Sequence, residues 1–272
     1  MGQPRHFGRH EVSILHDGYF EAPSGVLTHV AGEQARRETV RRWGSQTIRI
    51  VVNCFLLRGP DGITLVDAGT GTAWGEAYGH ARTALRDLGI APTDVRRVLL
   101  THLHGDHALG LVDGDLSYFP NAEIVIPAAD LAHFADEAKR TVTPKARQGG
   151  FDIAAALQHL YAGLIRTAEP GPVLPGIDLV ALPGHTYGHG GYLIEDPARS
   201  LLLWGDALHL AAFQAADPEI GLAYDLDGAM AANTRRDILA RAARKGWAVS
   251  GGHIEGFKSV RESGSGYELA GT

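Results

Sequence analysis

Cysteine is nearly absent from this chain. The single thiol in 272 residues, Cys54, excludes an intrachain disulfide framework, and a reducing compartment is expected. Cys54 lies in the apolar run "RIVVNCFLL", where a free thiol behaves as a small buried hydrophobe and nothing nearby marks it as reactive. Long hydrophobic runs are missing too. No stretch approaches the roughly 20 apolar residues that cross a bilayer, and "MGQPRHFGRHEVSIL" contains no apolar targeting core. The expectation is a cytoplasmic protein without a membrane partner. A basic excess is also lacking: 25 Lys and Arg against 31 Asp and Glu leave a net charge of −6 with His neutral. That argues against a nucleic-acid partner, which needs a clustered basic face. The one basic stretch, "RRETVRR" from Arg36 to Arg42, reads at helical spacing as a solvated face. There is no repeat and no low-complexity tract.

What remains is ordinary globular material, 44% hydrophobic and 21% charged. The length suits one large domain or two small ones, with a sizeable core. Strand-like runs are "EVSIL", "TIRIVVNCFLL", "GITLVDAG", "VRRVLLTH", "AEIVIP", "IDLVALPG", "GGYLIED", "RSLLLWGDA" and "WAVSGGH". Helical patterns cover Gly75 to Leu88, "AADLAHFADEAKR", "FDIAAALQHLYAGL" and Gly228 to Lys245. The pattern weakens between Thr141 and Gly176, and the tail "SVRESGSGYELAGT" reads as frayed. Two β-rich halves that each supply helices predict an α/β fold, a sandwich of two sheets covered by helices.

The histidines are not spread evenly. "THLHGDHALG" places His102, His104, Asp106 and His107 within six residues. At this chain's His and Asp frequencies, that pattern arises by accident on the order of once in several hundred such chains. Imidazole and carboxylate are zinc-type ligands. Residues two apart in extended chain point the same way, so His102 and His104 can reach one metal. Asp106 and His107 follow Gly105, where the chain can turn toward a second point. Half of a two-metal site is the natural reading. The other strand ends supply the rest: His185 after "VALPG", Asp206 after "LLLWG" and His253 after "WAVSGG".

In order, "LVDAGTG", "THLHGDH", "PGHTYGH", "WGDALH" and "GGHIEGF" resemble the signature of the metallo-β-lactamase superfamily, from about Asp67 to His253. The resemblance implies an αββα sandwich, a single domain over residues 1–272, in which 141–176 is an insertion lining the cleft. It implies that His102, His104 and His185 hold one metal, that Asp106, His107 and His253 hold another, that Asp206 bridges them, and that Asp67 orients the site. A cysteine at Asp206 would mark the class B1 β-lactamases, and a glutamate at His104 the di-iron oxygen reducers. Neither is present, so two Zn2+ ions are expected, with Fe, Mn or Co as alternatives for the same ligands. "GDALHLAAFQ", "AYDLD" and "GGHIEGF" resemble the branch of acyl-homoserine lactonases and methyl parathion hydrolase. Some lactonases carry a substrate-contacting Tyr where this chain has His209.

The expected function is therefore dinuclear zinc-dependent opening of lactone rings by a metal-bridging hydroxide, which such a site generates at neutral pH. Asp106, Asp206 and His209 are the candidate catalytic residues. Asp206 is a candidate proton shuttle to the leaving alkoxide, with His209 as runner-up. His189 reads as a residue that orients a ligand. The alternatives are a phosphotriesterase or arylesterase on the same site, and a catalytically silent metal-binding protein. The partner is a small ester or lactone, and a homodimer is one assembly considered. Phe119, Phe151, Phe213, Gln214 and Phe257 read first as core or loop, with substrate contact as the alternative, since cleft walls are commonly aromatic.

Overall fold

The apolar run "VVNCFLL" is buried on both faces, and this sets the architecture. In the computed structural model, which describes residues 3–272, it lies within the strand Thr47–Gly59. Alternate side chains of a strand face opposite sides. Phe55 and Leu57 join a core with Val66, Leu99, Val125, Leu179, Tyr192, Leu201 and Leu203. Cys54 and Leu56 join a second core with Leu65, Val98, Ile124, Ala81, Leu85 and Leu157. The first core lies between two sheets, and the second lies under helices. On the far side, Leu202, Leu193 and Val249 pack against Ile238, Leu239 and Ala242 of the helix Gly228–Lys245. The layers therefore run helix, sheet, sheet, helix, as expected.

Each of the two main sheets has seven strands, and each is built from one half of the chain. The first runs Arg5–Phe7, His10–Pro23, Thr47–Gly59, Gly62–Val66, Val95–Leu99, Glu123–Pro127 and Ile165–Ala168. Its last four strands are parallel to one another. The second runs Gly171–Leu174, Ile177–Ala181, Gly190–Ile194, Leu201–Leu203, Ala248–Ser250, Lys258–Ser263 and Gly266–Gly271. Its one parallel pair, Leu201–Leu203 with Ala248–Ser250, needs a crossover, and the helix Gly228–Lys245 provides it. The C-terminal ends of Gly62–Val66, Val95–Leu99, Ile177–Ala181, Leu201–Leu203 and Ala248–Ser250 lead into Asp67, His102, His185, Asp206 and His253.

Several boundaries differ from the sequence reading. The tail is not frayed. Lys258–Ser263 and Gly266–Gly271 form an antiparallel hairpin, turned at Gly264 (φ 60°), and Val260, Tyr267 and Leu269 pack on the outer core of the second sheet. The helix expected from Gly75 begins only at His80, because Gly75 and Gly79 take positive φ in the preceding turn. "AADLAHFADEAKR" splits into Ala128–Phe134 and Glu137–Val142, since Asp136 caps the second helix by accepting from Ala138 N and Lys139 N. The strands Ile165–Ala168 and Gly171–Leu174 lie in the region that showed no clear pattern. The basic stretch is on the helix Glu33–Trp43, where Arg36, Arg37 and Arg41 pair with Glu33 and Glu38. No helix among the described residues is long and apolar enough to cross a membrane.

One buried hydroxyl ties the helix Gly149–Leu160 to the first sheet's layer. Tyr161 follows that helix, is fully buried, donates to Leu111 O at 2.8 Å and accepts from Phe119 N at 3.2 Å. Burial pushes its phenol up to about 12. Tyr161→Phe keeps the ring and strands both backbone partners. The expected result is a loss of about 1–3 kcal/mol with an unchanged denaturant m-value. Equilibrium urea melts of the two proteins check it.

Candidate metal centre

At the shared edge, the ligand-type side chains fall into groups whose donor atoms lie within 4.8 Å of one another. These are His102, His104 and His185; Asp106, His107, Asp206 and His253; and His185, Asp206 and His209. All seven residues that the sequence marked as ligands are brought together, and His209 with them. Asp206 belongs to the second group and also reaches the first. Its Oδ2 is 3.1 Å from His185 Nε2, 3.1 Å from His253 Nε2 and 3.7 Å from His102 Nε2, while its Oδ1 is 3.1 Å from His107 Nε2.

The backs of these rings explain what faces the centre. His107 Nδ1 donates to Asp67 Oδ2 at 2.8 Å, His185 Nδ1 to Asp225 Oδ1 at 3.0 Å, and His253 Nδ1 to Val51 O at 2.6 Å. Thr101 Oγ1 gives its hydrogen to Asp67, so it accepts from His102 Nδ1 at 3.0 Å. Each of these four rings therefore spends its proton on the outer side and turns an Nε2 lone pair inward. His104 turns inward through Nδ1, 2.9 Å from His185 Nε2. Lone pairs then face lone pairs and a carboxylate. His102 Nε2, His107 Nε2 and Asp206 Oδ1 are buried without a hydrogen-bond partner. Buried polar atoms are normally satisfied, so three orphans aimed at one place call for a cation. The donor set fits divalent metal: neutral imidazoles and carboxylates, arranged for two ions.

The charge environment makes the same demand. Burial and the neighbouring imidazoles hold His102 and His104 well below the usual histidine range, in the neutral form that binds metal. Burial also lowers His107, but Asp206, Asp106 and Asp67 outweigh it and raise it. His185 is pushed down by burial and up further by Asp206 and Asp225, reaching about 9. Burial would raise Asp206, yet His107, His253, His209 and His185 hold it well below the carboxylate range. A negative field this dense attracts positive charge, as protons or as metal.

Asp67 is the only described non-glycine residue with positive φ, at 58°. That strained turn aims its carboxylate back at Thr101 N (2.8 Å), Thr101 Oγ1 and His107, so it fixes the start of the histidine loop. His189 orients without joining either group of ligands. Its Nδ1 donates to Leu182 O, and its Nε2 accepts from Asp206 N at 2.9 Å. His209 Nε2 is 3.3 Å from Asp206 Oδ2, and its ring stacks on His253 at 4.7 Å and 15°. Burial pushes His209 down to about 4.

Sequence reasoning missed several supports. Buried Asp130 accepts from Leu103 N at 2.7 Å and takes the Thr186 hydroxyl, clasping the His102–His104 loop to the His185 loop. Burial pushes this carboxyl up to about 6. Asp17 accepts from Thr70 N and Ala81 N and anchors the turn after Asp67. Of the suggested pocket residues, Phe119, Phe151 and Phe257 are core. Gln214 is buried and accepts from His209 N and Leu210 N. Phe213 packs on Trp43 under Arg42. The aromatics beside the centre are different ones. Phe20 lies 6.3 Å from His253, 6.3 Å from Trp74 and 6.4 Å from Tyr224, and Tyr224 lies 6.5 Å from His209. Trp74 and Tyr224 remain 42% and 37% exposed, so this wall runs from the buried ligands to solvent.

A two-sheet sandwich with His/Asp groups suited to two metals at its edge defines a metallo-hydrolase. The profile of the metallo-beta-lactamase superfamily matches residues 48–253, and the chain belongs to that superfamily. It is 27% identical over 185 residues to a probable metallo-hydrolase of Mycobacterium bovis, covering 60% of this chain. The match spans 58% of that relative's length. Among solved structures, hydrolase AbOPH of the β-lactamase superfamily superposes with a TM-score of 0.88, at 23% identity, covering 99% of this chain and 96% of the other. AidC, a dizinc quorum-quenching lactonase solved with an N-hexanoyl-L-homoserine product, gives 0.86 at 21% identity, covering 99% and 97%.

Proposed function

We propose that this protein is a zinc-dependent hydrolase that opens lactone rings of the acyl-homoserine type. His102, His104 and His185 would hold one ion, and Asp106, His107 and His253 the other, with Asp206 between them. When bound, such a pair of ions supplies Lewis-acid polarisation of a carbonyl oxygen and an activated water at neutral pH. The protein's own residues do the rest.

The observation that carries the reading is Asp206 and His209 side by side, 3.3 Å apart, at the base of an aromatic wall. A lactone leaves as an alkoxide, which needs a proton. Asp206, and His209 behind it, are the groups placed to move one. The wall of Phe20, Trp74 and Tyr224 offers apolar surface of the kind that an acyl chain covers. Trp74 packs against the ligand loop itself: a Cβ added at Gly105 would lie 3.0 Å from the Trp74 ring. The segment 141–176 is read as the far rim of this cleft, because Arg147 reaches Ala223 O beside Tyr224 at 3.3 Å. The similarity to AidC supports the same substrate class.

An aryl phosphotriester expels a phenolate that needs little protonation, so it would make poor use of these groups. Zinc-loaded protein is expected to turn over acyl-homoserine or simple γ- and δ-lactones with kcat/KM at least ~10²-fold above a paraoxon-type triester, about 2.7 kcal/mol of transition-state preference. A parallel panel of lactones, aryl esters, a thioester and a phosphotriester measures it. Faster triester turnover rejects the lactonase reading in favour of a phosphotriesterase. Turnover of no member moves the reading to a silent metal-binding protein.

A further inference from the structure

Among the described residues, Arg235 is the only Lys or Arg that is fully buried. It projects from the crossover helix Gly228–Lys245, and its Nη1 is 3.4 Å from Asp225 Oδ2. The other oxygen of Asp225 accepts from His185 Nδ1 at 3.0 Å. Both side chains of the ion pair are 1% exposed. Burying an ion pair is costly, and apolar residues of the same volume often serve stability as well. A chain with one such guanidinium has placed it behind the carboxylate that holds a ligand-type histidine.

We propose that Asp225 and Arg235 are positioning residues. Together they form a buried relay that aims His185 and sets how tightly the His102–His104–His185 group holds its cation. This rests on the two-metal reading above. Four further contacts and one close fit carry it. The loop bearing Asp225 is zipped to the loop bearing His185 by Leu226 N to His185 O at 3.0 Å and Asp227 N to Gly184 O at 2.9 Å. Arg235 also reaches Ala207 O at 3.4 Å and Pro218 O at 3.0 Å, so one guanidinium braces the residue after Asp206 as well as the partner of His185. Room for the pair depends on Gly221, where an added Cβ would lie 3.1 Å from Asp225 Oδ2 and 3.3 Å from Arg235 Nη2.

Asp225 stands to His185 as Asp67 stands to His107. Each carboxylate takes the outer ring proton, fixes the tautomer and makes the inward nitrogen a better donor. Among the ligand histidines Asp225 touches only His185, so the acceptor of the relay acts on one of the two groups. Asp225→Ala removes the acceptor. Asp225→Asn keeps an acceptor of the same size and removes the charge. Arg235→Lys keeps the charge and removes the fork that reaches Ala207, Pro218 and Asp225 at once.

The test is a Co2+ titration of the full chain against a chromophoric chelator, with the d–d spectrum recorded and folding checked by circular dichroism. The parent is expected to bind two equivalents. In Asp225→Ala one equivalent is expected to loosen about 10–100-fold while the other keeps its affinity, with a smaller loosening of the same equivalent in Asp225→Asn and Arg235→Lys. If the alanine variant does not fold, the isosteric asparagine variant carries the test. Folded variants that bind both equivalents as the parent does overturn the relay and leave the two-metal reading standing. Equal loosening of both equivalents also overturns it, because the effect is then not directed to one group. A parent that binds fewer than two equivalents overturns both.

Discussion

Asp206→Ala is expected to lose at least one of two bound divalent ions and to lower turnover by at least ~10³-fold. Asp206 is the one carboxylate that touches both groups of ligands. Its Oδ2 meets His185 and His253 at 3.1 Å each, and its Oδ1 meets His107 at 3.1 Å. Without it, imidazoles that turn their lone pairs inward face one another with little negative charge to hold two cations. The bond from Asp206 N to the His189 ring uses only the backbone of Asp206, so it survives the substitution. Elemental analysis of purified protein, parent and variant, reads the ions per chain beside kcat. A parent with one tightly held ion, unaltered in the variant, sinks the dinuclear reading.

Much of this centre was legible because it is local. His102, His104, Asp106 and His107 are adjacent in sequence, so their pattern survives any folding. His185, Asp206 and His253 were legible through a repeated local form, an apolar strand followed by small residues and a ligand-type side chain. The layers were legible because "VVNCFLL" is apolar at every second position on both faces but for Asn53, and only a strand covered on both sides has use for that. Supports that act across the fold leave no such trace. Asp130 is 27 residues from Leu103 and 56 from Thr186, and sits in an unremarkable helix. Arg235 lies among exposed arginines such as Arg236 and looks the same in sequence; only the tertiary structure buries one and solvates the other. The aromatic wall was missed for a similar reason. Phe20 is on a strand, Trp74 is in a glycine-rich turn and Tyr224 follows a three-residue strand, and they meet only when these three distant segments converge. The tail was misread because its alternation is short and polar, and its order comes from hairpin pairing against an existing core.

The final prediction separates the ligands from the residue beside them. His104→Ala is expected to abolish nearly all turnover at saturating substrate, a fall of at least ~10³-fold. His104 Nδ1 and His185 Nε2 are 2.9 Å apart, and His104 is one of three donors in its group. Deleting it would leave His102, His185 and the shared Asp206 to hold an ion there. His209→Ala is expected to retain measurable activity, with a fall of about 10²-fold, the lower end of what a positioned acid or base contributes. His209 makes its polar contact with the centre through Asp206 Oδ2, its ring stacks on His253, and its Nδ1 is buried without a partner. Burial pushes its imidazole down to about 4, so the ring is neutral at working pH and assists Asp206 as a partner of Oδ2 through Nε2. Gln214 fixes the His209 backbone independently of the ring, so the loop should keep its path when the ring is removed. Metal content separates the two outcomes. His104→Ala is expected to lose an ion, whereas His209→Ala keeps both. Complete loss of turnover in His209→Ala with both ions still bound would make His209 the indispensable proton carrier and reduce Asp206 to a ligand.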